Sequence, residues 1–334
     1  MIMKPLVLVL ALLLVALDAH AQQRLPIIDM HLHAYTADGN GPPPLGLCVP
    51  ILPYVPPLDP NREVFSAVAK DPPCPDPIWS PMTDEAVMEE TIAILERRNI
   101  IGVLSGPPER VLRWSEAAPG RFIPSVEFQL GRDEPSLASL RRLFEDGPFA
   151  VLGEVSNQYA GVAPDDERME PYWALAEELD IPVAIHMGEG PPGAAYLIPT
   201  YRARLTSPYL LEEVLIRHPR LRVSVMHYGS PLINEMVAML GAYPQLYVDI
   251  GGIQWFYPRA YFYKQLRELI DAGFGKRVMF GSDQMNWPEV IEPAIAVIDE
   301  APFLSEEQKR DIFYNNAARF LRLSEEEIAK HHSM

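Results

Sequence analysis

Four histidines and one aspartate close separate apolar runs of this sequence, in a pattern suited to metal chemistry. His31 and His33 form a His-x-His pair after Ile-Ile-Asp-Met, and His186 ends the run Ile-Pro-Val-Ala-Ile. His227 follows Leu-Arg-Val-Ser-Val-Met, and Asp283 follows Arg-Val-Met-Phe-Gly-Ser. Imidazole nitrogens and carboxylate oxygens are ligands of divalent metals such as zinc. These residues predict a metal site if the fold brings the ends of the runs together.

The apolar runs that carry these residues are predicted to be parallel strands buried on both faces. They are rich in Val, Ile and Leu and mostly lack two-residue alternation. The eight predicted strands span residues 26–31, 100–105, 122–128, 149–155, 182–186, 221–227, 245–250 and 278–282.

Amphipathic segments between the strands predict helices. The predicted helices span residues 84–98, 109–118, 136–146, 172–180, 209–218, 232–242 and 261–272. Eight strands with a helix predicted between each consecutive pair are typical of an α/β fold, the closed (β/α)₈ TIM barrel. An open doubly wound sheet is the alternative, but no Gly-rich phosphate turn follows the first strand. Catalytic residues of TIM barrels lie at the carboxyl ends of the strands, which is where all five candidate ligands fall.

One segment, residues 35–81, interrupts the alternation and is dense in proline and glycine. Long loops inside a compact domain are usually functional or disordered. We interpret it as a capping insertion after strand one, over the active site; the alternative is a flexible insertion with no role. Cys48 and Cys74, the only cysteines, both lie in it. A disulfide between them is the favoured interpretation, with two free buried thiols as the alternative.

The two ends of the chain and its composition indicate where the protein is located and which partners it binds. Lys4, the apolar residues 5–17 and the small-x-small motif Ala-His-Ala predict a signal peptide over residues 1–21, cleaved after Ala21. A periplasmic or secreted protein without stable membrane insertion is therefore expected. The domain then spans residues 22–323, followed by a C-terminal tail, 324–334. A net charge of −17 argues against a nucleic-acid backbone as the main partner. The expected partner is a small-molecule substrate. Homo-oligomerisation is left open.

The ligand pattern resembles the amidohydrolase superfamily, and in particular its amidohydrolase-related branch, over nearly the whole mature chain. The motifs that carry the resemblance are Asp-Met-His-Leu-His at 29–33, His186, Val-Met-His-Tyr-Gly at 225–229, Gly-Ser-Asp at 281–283 and Asn-Asn-Ala-Ala-Arg-Phe-Leu at 315–321. The resemblance implies that His31 and His33 bind a metal and that His186 binds the same metal or a second one. It implies that Asp283 contacts the metal and acts as general base. His227 would bind a second metal or polarise the substrate.

Glu154 and Asp29 extend this set. Glu154 ends the fourth predicted strand, where some branches, such as the TatD-like hydrolases, place a glutamate that bridges two metals. If Glu154 faces inward, two metals can be held; if it faces outward or pairs with an arginine, one suffices. Asp29 is expected to support a ligand or to satisfy buried backbone groups. The expected cofactor is a divalent metal, zinc first, with one or two ions per chain, although these ligands also accept other transition metals.

Candidate substrate contacts follow the fifth and seventh strands. Trp255, with its neighbours Gln254, Phe256 and Tyr257, would wall the pocket or simply pack under the cap. Arg202 or Arg204 would pair with a substrate carboxylate. Tyr159 and Tyr196 are similarly placed.

The predicted function is an exported metal-dependent hydrolase that uses metal-bound hydroxide on a small amide, lactone or ester. The nearest alternative is a metal-dependent nonoxidative decarboxylase of an aromatic or unsaturated acid, because that branch also contains such lyases. A non-catalytic protein that binds metal or ligand is the alternative from another class. Substrate and metal identity do not follow from these residues, since one fold with one ligand set hosts many chemistries.

Overall fold

The structure is a computed structural model, which describes residues 24–57, 59, 69–132 and 134–334. The predicted signal peptide, residues 1–21, lies outside the described residues, as does part of the predicted capping insertion.

Eight parallel strands form the barrel in the order in which they occur along the chain. The strands are β1 (Ile27–His33), β2 (Ile100–Gly106), β3 (Phe122–Phe128), β4 (Val151–Val155), β5 (Val183–His186), β6 (Val223–Met226), β7 (Leu246–Asp249) and β8 (Val278–Met279). Backbone hydrogen bonds from Met30 N to Phe280 O and from Asp283 N to His31 O connect β1 to the segment that follows β8. The fold is therefore the predicted (β/α)₈ barrel, and each predicted strand overlaps an observed one.

Helices flank the barrel strands. The α-helices are α1 (Asp84–Arg98), α2 (Pro108–Ala117), α3 (Leu137–Glu145), α4 (Glu170–Glu178), α5 (Ala194–Leu197), α6 (Glu212–Arg217), α7 (Ile233–Ala242), α8 (Ile253–Phe256), α9 (Arg259–Asp271), α10 (Ile291–Asp299), α11 (Glu306–Arg310), α12 (Asn316–Leu321) and α13 (Glu325–Ser333). Shorter 3₁₀ turns span Leu52–Tyr54, Glu167–Met169, Ala203–Thr206, Pro208–Leu211, His227–Gly229, Gly275–Arg277 and Pro288–Val290, and Asp311–Asn315 is a π-helical turn. None of the helices in the described part of the chain is long and apolar enough to cross a membrane.

Local signals explain why the helices begin and end where they do. Helix α1 has the predicted bounds, because the Thr83 side chain accepts from Ala86 N at its start and Asn99 adopts a left-handed conformation at its end. Helices α5, α8 and α10 to α13 were not predicted from the sequence. Of these, α13 occupies most of the predicted C-terminal tail and begins with a capping box between Ser324 and Glu327.

Two apolar clusters divide the core. The larger one lies between strands and helices. The smaller one takes a side chain from every barrel strand and joins them to the C-terminal helices; its members include Ile28, Met30, Val103, Ile123, Val151, Ala184, Met226, Tyr247, Met279, Tyr314, Ala317 and Phe320. A layer with one contribution from each strand is the barrel interior, and the C-terminal helices close it at the end opposite the ligands.

Bulges in β1 and β4 turn two ligand-bearing strands. The pairing of β1 with β2 shifts by one residue between Asp29 and Leu32. Strand β4 shifts against both neighbours between Leu152 and Val155, the interval that contains Glu154. An extra residue in a strand re-aims the side chains beside it, and such bulges are common near active sites. The bulge in β4 thus allows the side chains of both Val151 and Glu154 to face the barrel interior.

The proline-rich insertion is attached to the loops at the carboxyl end of the barrel. Cys48 and Cys74 form a disulfide, and a short antiparallel ribbon pairs Gly46–Leu47 with Ile78–Trp79. Ile51 N donates to the carbonyl oxygens of Trp255 and Phe256, which follow β7. The Trp287 indole N–H, after β8, donates to Leu45 O. The described part of the insertion therefore packs on the same face as the candidate ligands.

Candidate active site

Two imidazoles and two carboxylates meet inside the carboxyl end of the barrel. His33 Nε2 lies 3.0 Å from Asp283 Oδ1 and 3.4 Å from Glu154 Oε2. His31 Nε2 lies 3.5 Å from each of the same two oxygens. All four residues are buried. Strands β1 and β4 and the segment after β8 thus bring together four atoms that could bind a metal.

Asp249, the last residue of β7, holds this cluster from behind. Its carboxylate lies 3.4 Å from His31 Nδ1 and accepts from the backbone N–H groups of His227 and Gly251. A carboxylate that accepts from Nδ1 places the proton on that nitrogen, so Nε2 keeps its lone pair for a metal. Asp249 was missed from the sequence, although it obeys the same rule as Asp283: an acidic residue at the end of a predicted strand.

His186 and His227 form the other side of the site. Their ring centroids are 4.6 Å apart, and the His227 ring lies 5.0 Å from the His31 ring. His227 Nδ1 donates to Gly251 O at 2.7 Å, which leaves Nε2 free. His186 Nδ1 is 2.9 Å from Gln158 Oε1, and its Nε2 is 3.0 Å from the Tyr159 hydroxyl. Sequence reasoning did not find Gln158, because nothing in its local pattern marks an amide that orients a ligand.

Close backbone approach explains two glycines beside these rings. A Cβ on Gly251 would lie 2.4 Å from His31 Nδ1, and one on Gly188 would lie 2.9 Å from the His227 side chain. Both distances are shorter than a Cβ can tolerate without displacement of the ring. The glycines therefore allow the imidazoles to pack against neighbouring backbone.

His227 and Asp283 both adopt left-handed backbone conformations, with φ of 58° and 54°. Such conformations are costly for residues with a Cβ and concentrate at functional sites. Each is held by a backbone hydrogen bond from its own N–H, to Asp249 Oδ1 for His227 and to His31 O for Asp283. The surrounding cluster thus fixes the two residues in place.

The electrostatics keep the carboxylates ionised. Burial raises the pKa of Asp283, but the charge of His31 and the hydrogen bond from His33 outweigh it, so the pKa lies below the usual aspartate value. Glu154 behaves in the same way, with burial opposed by His31, His186 and His33, and its pKa is also lowered. Burial and the neighbouring His227 lower the pKa of His186 to about 3, so its imidazole is neutral. Burial lowers the pKa of His31, but Asp283 and Asp249 outweigh it and raise this pKa well above the ordinary value. Metal ligation requires ionised carboxylates and neutral imidazoles, so a bound metal would displace a proton from His31.

Asp29 lies deeper, below the cluster. It is fully buried, and its Oδ1 accepts from the backbone N–H groups of His31 and Ser282. Burial raises its pKa to about 6. Asp29 thus satisfies backbone groups beside the ligands, which is one of the two roles expected for it.

The donor set fits a divalent metal. His31, His33 and Asp283 each offer an atom, and these atoms all lie within 4.8 Å of one another. His31 Nε2 is buried and has no hydrogen-bond partner in the described structure. A buried imidazole nitrogen between ionised carboxylates requires a positive charge beside it, either a proton or a bound metal cation. Two imidazoles and a carboxylate are a ligand set suited to zinc and similar ions.

Some of the residues that were predicted to contact substrate line a cavity in the structure, and others do not. A cavity of about 330 Å³ is lined by Tyr196, Phe256 and Tyr257, and its wall residue Tyr201 packs on Tyr159, whose ring contacts His186. Trp255 is instead buried in the core, where its indole N–H donates to Ser282 O. Arg202 does not line the cavity; its guanidinium donates to the backbone oxygens of Pro199 and Tyr201. An arginine bonded to its own loop stabilises that loop instead of facing the cavity.

Comparisons with known proteins agree with this architecture. A sequence model of the amidohydrolase family matches residues 28–323, so the chain belongs to that family. No curated protein matches the chain in sequence. Among solved structures, an uncharacterised TIM-barrel protein from Bordetella bronchiseptica is similar, with a TM-score of 0.60 and 17% identity, over 91% of this chain and 100% of that one.

Two similar structures carry enzyme names. A probable 2-pyrone-4,6-dicarboxylic acid hydrolase from Acinetobacter baumannii has a TM-score of 0.56 and 16% identity, over 89% of this chain and 99% of that one. A 2,6-dihydroxybenzoate decarboxylase has a TM-score of 0.55 and 16% identity, over 90% of this chain and 100% of that one. At such identity these similarities show the fold alone, and the fold hosts both hydrolases and decarboxylases.

Proposed function

We propose that this protein is a metal-dependent hydrolase of a small amide, lactone or ester. One observation carries the proposal: an ionised, buried Asp283 lies within hydrogen-bond distance of His33, in the same cluster as His31 and Glu154. A carboxylate in that position can accept a proton from a water molecule held at the cluster.

His31, His33 and Asp283 would hold the metal, with Glu154 and the His186–His227 pair at its edge. Bound there, a divalent metal lowers the pKa of water towards 7 and polarises a carbonyl oxygen. Asp249 and Gln158 orient the imidazoles of His31 and His186 through their Nδ1 atoms. Nε2 of His31 faces the cluster, and Nε2 of His186 lies beside the Tyr159 hydroxyl.

The chain's own residues divide the acid–base work. Asp283 accepts the proton of the attacking water, because its lowered pKa keeps it as a carboxylate at neutral pH. His227 presents Nε2 to the site while Nδ1 is engaged with Gly251 O. Nε2 carries no proton in this tautomer, so it can accept a hydrogen bond from the substrate and orient it, while the proton that Asp283 accepts is the one available to the leaving group.

The charge around the site favours a neutral acyl substrate over an acid. Within the described structure, the ion-pair partners of Glu154, Asp249 and Asp283 are histidines and include no lysine or arginine. None of the described residues that line the cavity is basic. Apart from the metal, a substrate carboxylate would therefore meet carboxylates and find no basic side chain among these residues. This supports hydrolysis over the alternative, decarboxylation of an aromatic or unsaturated acid.

The test is turnover by metal-loaded protein, purified without chelators or a histidine tag. A panel of lactones, esters, amides and hydroxybenzoate-type acids is assayed, with Asp283→Asn as the inactive control. Hydrolysis of an acyl substrate that requires both metal and Asp283 is the expected result. Release of carbon dioxide from an acid, with no acyl hydrolysis, would replace the proposal with the decarboxylase. Full metal loading without any turnover would favour a binding protein.

Glu154 bears on the number of metals, since it faces inward and has no arginine partner among the described residues. We propose that it contributes to metal binding and that the site holds up to two ions. Elemental analysis of wild type and Glu154→Ala tests this: the variant should lose metal and activity. Unchanged metal content and unchanged activity in Glu154→Ala would remove the residue from the ligand set.

We also propose that the protein is exported to the periplasm or secreted, on the signal sequence expected in residues 1–21. The Cys48–Cys74 disulfide supports an oxidising compartment. N-terminal sequencing of protein recovered outside the cytoplasm should begin at Gln22. Recovery of uncleaved chain only from the cytoplasm would reject export.

A further inference from the structure

The cavity of about 330 Å³ beside the candidate active site has the dimensions and the walls of a substrate subsite. Its volume is at the lower end for small-molecule pockets, about 300–1,000 Å³. Its walls are mainly apolar and aromatic, from three places: Leu52 of the insertion, Pro191, Pro192 and Tyr196 after β5, and Phe256 and Tyr257 after β7. Such walls suit a small apolar or aromatic group.

Glu189 supplies the one carboxylate among the described residues that line this cavity. Its Oε1 accepts from the hydroxyls of Tyr257 and Ser230. Its Oε2 is shielded from solvent and has no hydrogen-bond partner in the described structure. A shielded carboxylate oxygen without a donor is costly, so a small shift of the Glu189 side chain towards a donor in the cavity would be favoured.

The cavity adjoins the His186–His227 side of the metal cluster. Gly190, on its wall, is two residues from Gly188, which packs against His227. Tyr201, also on the wall, accepts from the Gln158 side chain, whose other end meets His186 Nδ1. The Tyr159 ring lies between Tyr201 and His186, so a substrate with its carbonyl at the cluster would reach the cavity past that ring.

We propose that this cavity is a specificity subsite for an apolar or aromatic group that carries a hydrogen-bond donor, above all a protonated amine, which Glu189 binds. The inference rests on the proposed function, because it names part of the substrate of the same site. Charge-assisted hydrogen bonds are among the stronger polar contacts, and a cation beside Glu189 would also be accepted by the surrounding aromatic faces. A carboxylate-bearing group would be rejected by Glu189.

The test compares three probes with one skeleton: benzylamine, benzyl alcohol and benzoate. Each is titrated into the metal-loaded enzyme at pH 7 by calorimetry. Benzylamine should bind most tightly and benzoate least. Glu189→Gln keeps the shape of the side chain and an acceptor for Tyr257, and should weaken benzylamine by about tenfold or more while changing benzyl alcohol much less.

Two further variants keep the result interpretable. Glu212 accepts from the Tyr243 hydroxyl on the protein surface, as Glu189 accepts from Tyr257, so Glu212→Gln is a matched control that should change nothing. Ala195→Phe fills the cavity from its wall and should weaken benzylamine and benzyl alcohol together. Thermal unfolding and metal content are measured for every variant.

The outcomes separate this inference from the proposed function, because binding is measured without turnover. Tightest binding of benzoate, or benzylamine binding that is unchanged in both Glu189→Gln and Ala195→Phe, overturns the subsite. In the latter case the amine binds elsewhere, for example at the metal. If benzylamine binding depends on Glu189 but no acyl substrate is hydrolysed, the subsite is supported and the proposed hydrolase function is rejected.

Discussion

The two ends of the barrel interior are built from the same eight strands but do opposite things. At one end, Ile28, Val151 and Met279 pack with Phe320 of α12 in an apolar layer. At the other end, the same strands or the residues just after them present histidines and carboxylates, all buried. A stable apolar layer therefore lies beneath a polar layer that is costly to bury. The apolar layer contributes to folding, and the polar layer contributes to the chemistry.

The largest expected effect is at the polar end. Asp283→Asn removes the proton acceptor and one potential ligand, so kcat/KM should fall by about 10² to 10⁴-fold. Activity on the best substrate of the panel and metal content are the measurements. Asp271→Asn, at the exposed end of α9, is the control and should be fully active. Wild-type activity in Asp283→Asn would contradict the assignment of the base.

The next effect is at the apolar end. Phe320 is fully buried against Tyr247, so Phe320→Ala should reduce the free energy of unfolding by about 3–5 kcal/mol. Phe320→Ala protein that stays folded should keep the wild-type kcat/KM, because the substitution lies in the apolar layer and not beside the metal ligands. Denaturant unfolding followed by assay at low temperature measures both. Ile216→Ala, at an exposed position, should change stability by less than about 0.5 kcal/mol. A large loss of kcat/KM in folded Phe320→Ala would show that the two layers are coupled.

The glycines offer a sharper test of the polar end. Gly251→Ala would push His31 away from Asp249, and a displacement of this kind can cost about 10²-fold in activity. Gly241→Ala, within α7, is the matched control. Apart from the helix's own backbone, the nearest atom to its Cβ would be in the Phe274 side chain, at 3.9 Å. Alanine in a helix is favoured over glycine by roughly 0.5–1 kcal/mol, so this control should be as stable as wild type or more so. Equal activity in both variants would mean that the position of His31 is not critical.

The smallest expected effect is at the support of the metal cluster. Asp249→Asn keeps the shape of the side chain but weakens its hold on His31 Nδ1, and such changes typically cost about 10 to 100-fold in metal affinity or activity. Competition with a chelator measures the metal affinity. Addition of excess metal should restore part of the activity in Asp249→Asn and none in Asp283→Asn. Identical behaviour of the two variants would contradict the distinction between support and base.

Much of the fold followed from the sequence, but the directions of individual side chains did not. Each predicted strand overlaps an observed one, because eight apolar runs separated by amphipathic helices have few other solutions. In strands buried on both faces, however, the residue pattern does not say which side chain faces inward. Glu154 illustrates this, since its inward direction comes from a bulge in β4 that no local residue pattern marks.

Local residue patterns were enough to specify the class of fold, membership of the amidohydrolase family and the positions at which imidazoles and carboxylates end the strands. A single chain displays such patterns directly, because they depend on neighbouring residues. Packing between distant segments placed Asp249 behind His31, buried Trp255 beneath the site, directed Arg202 to its own loop and set Glu189 on the wall of the cavity. Most of these contacts join residues far apart in the chain, so they depend on barrel closure and loop packing.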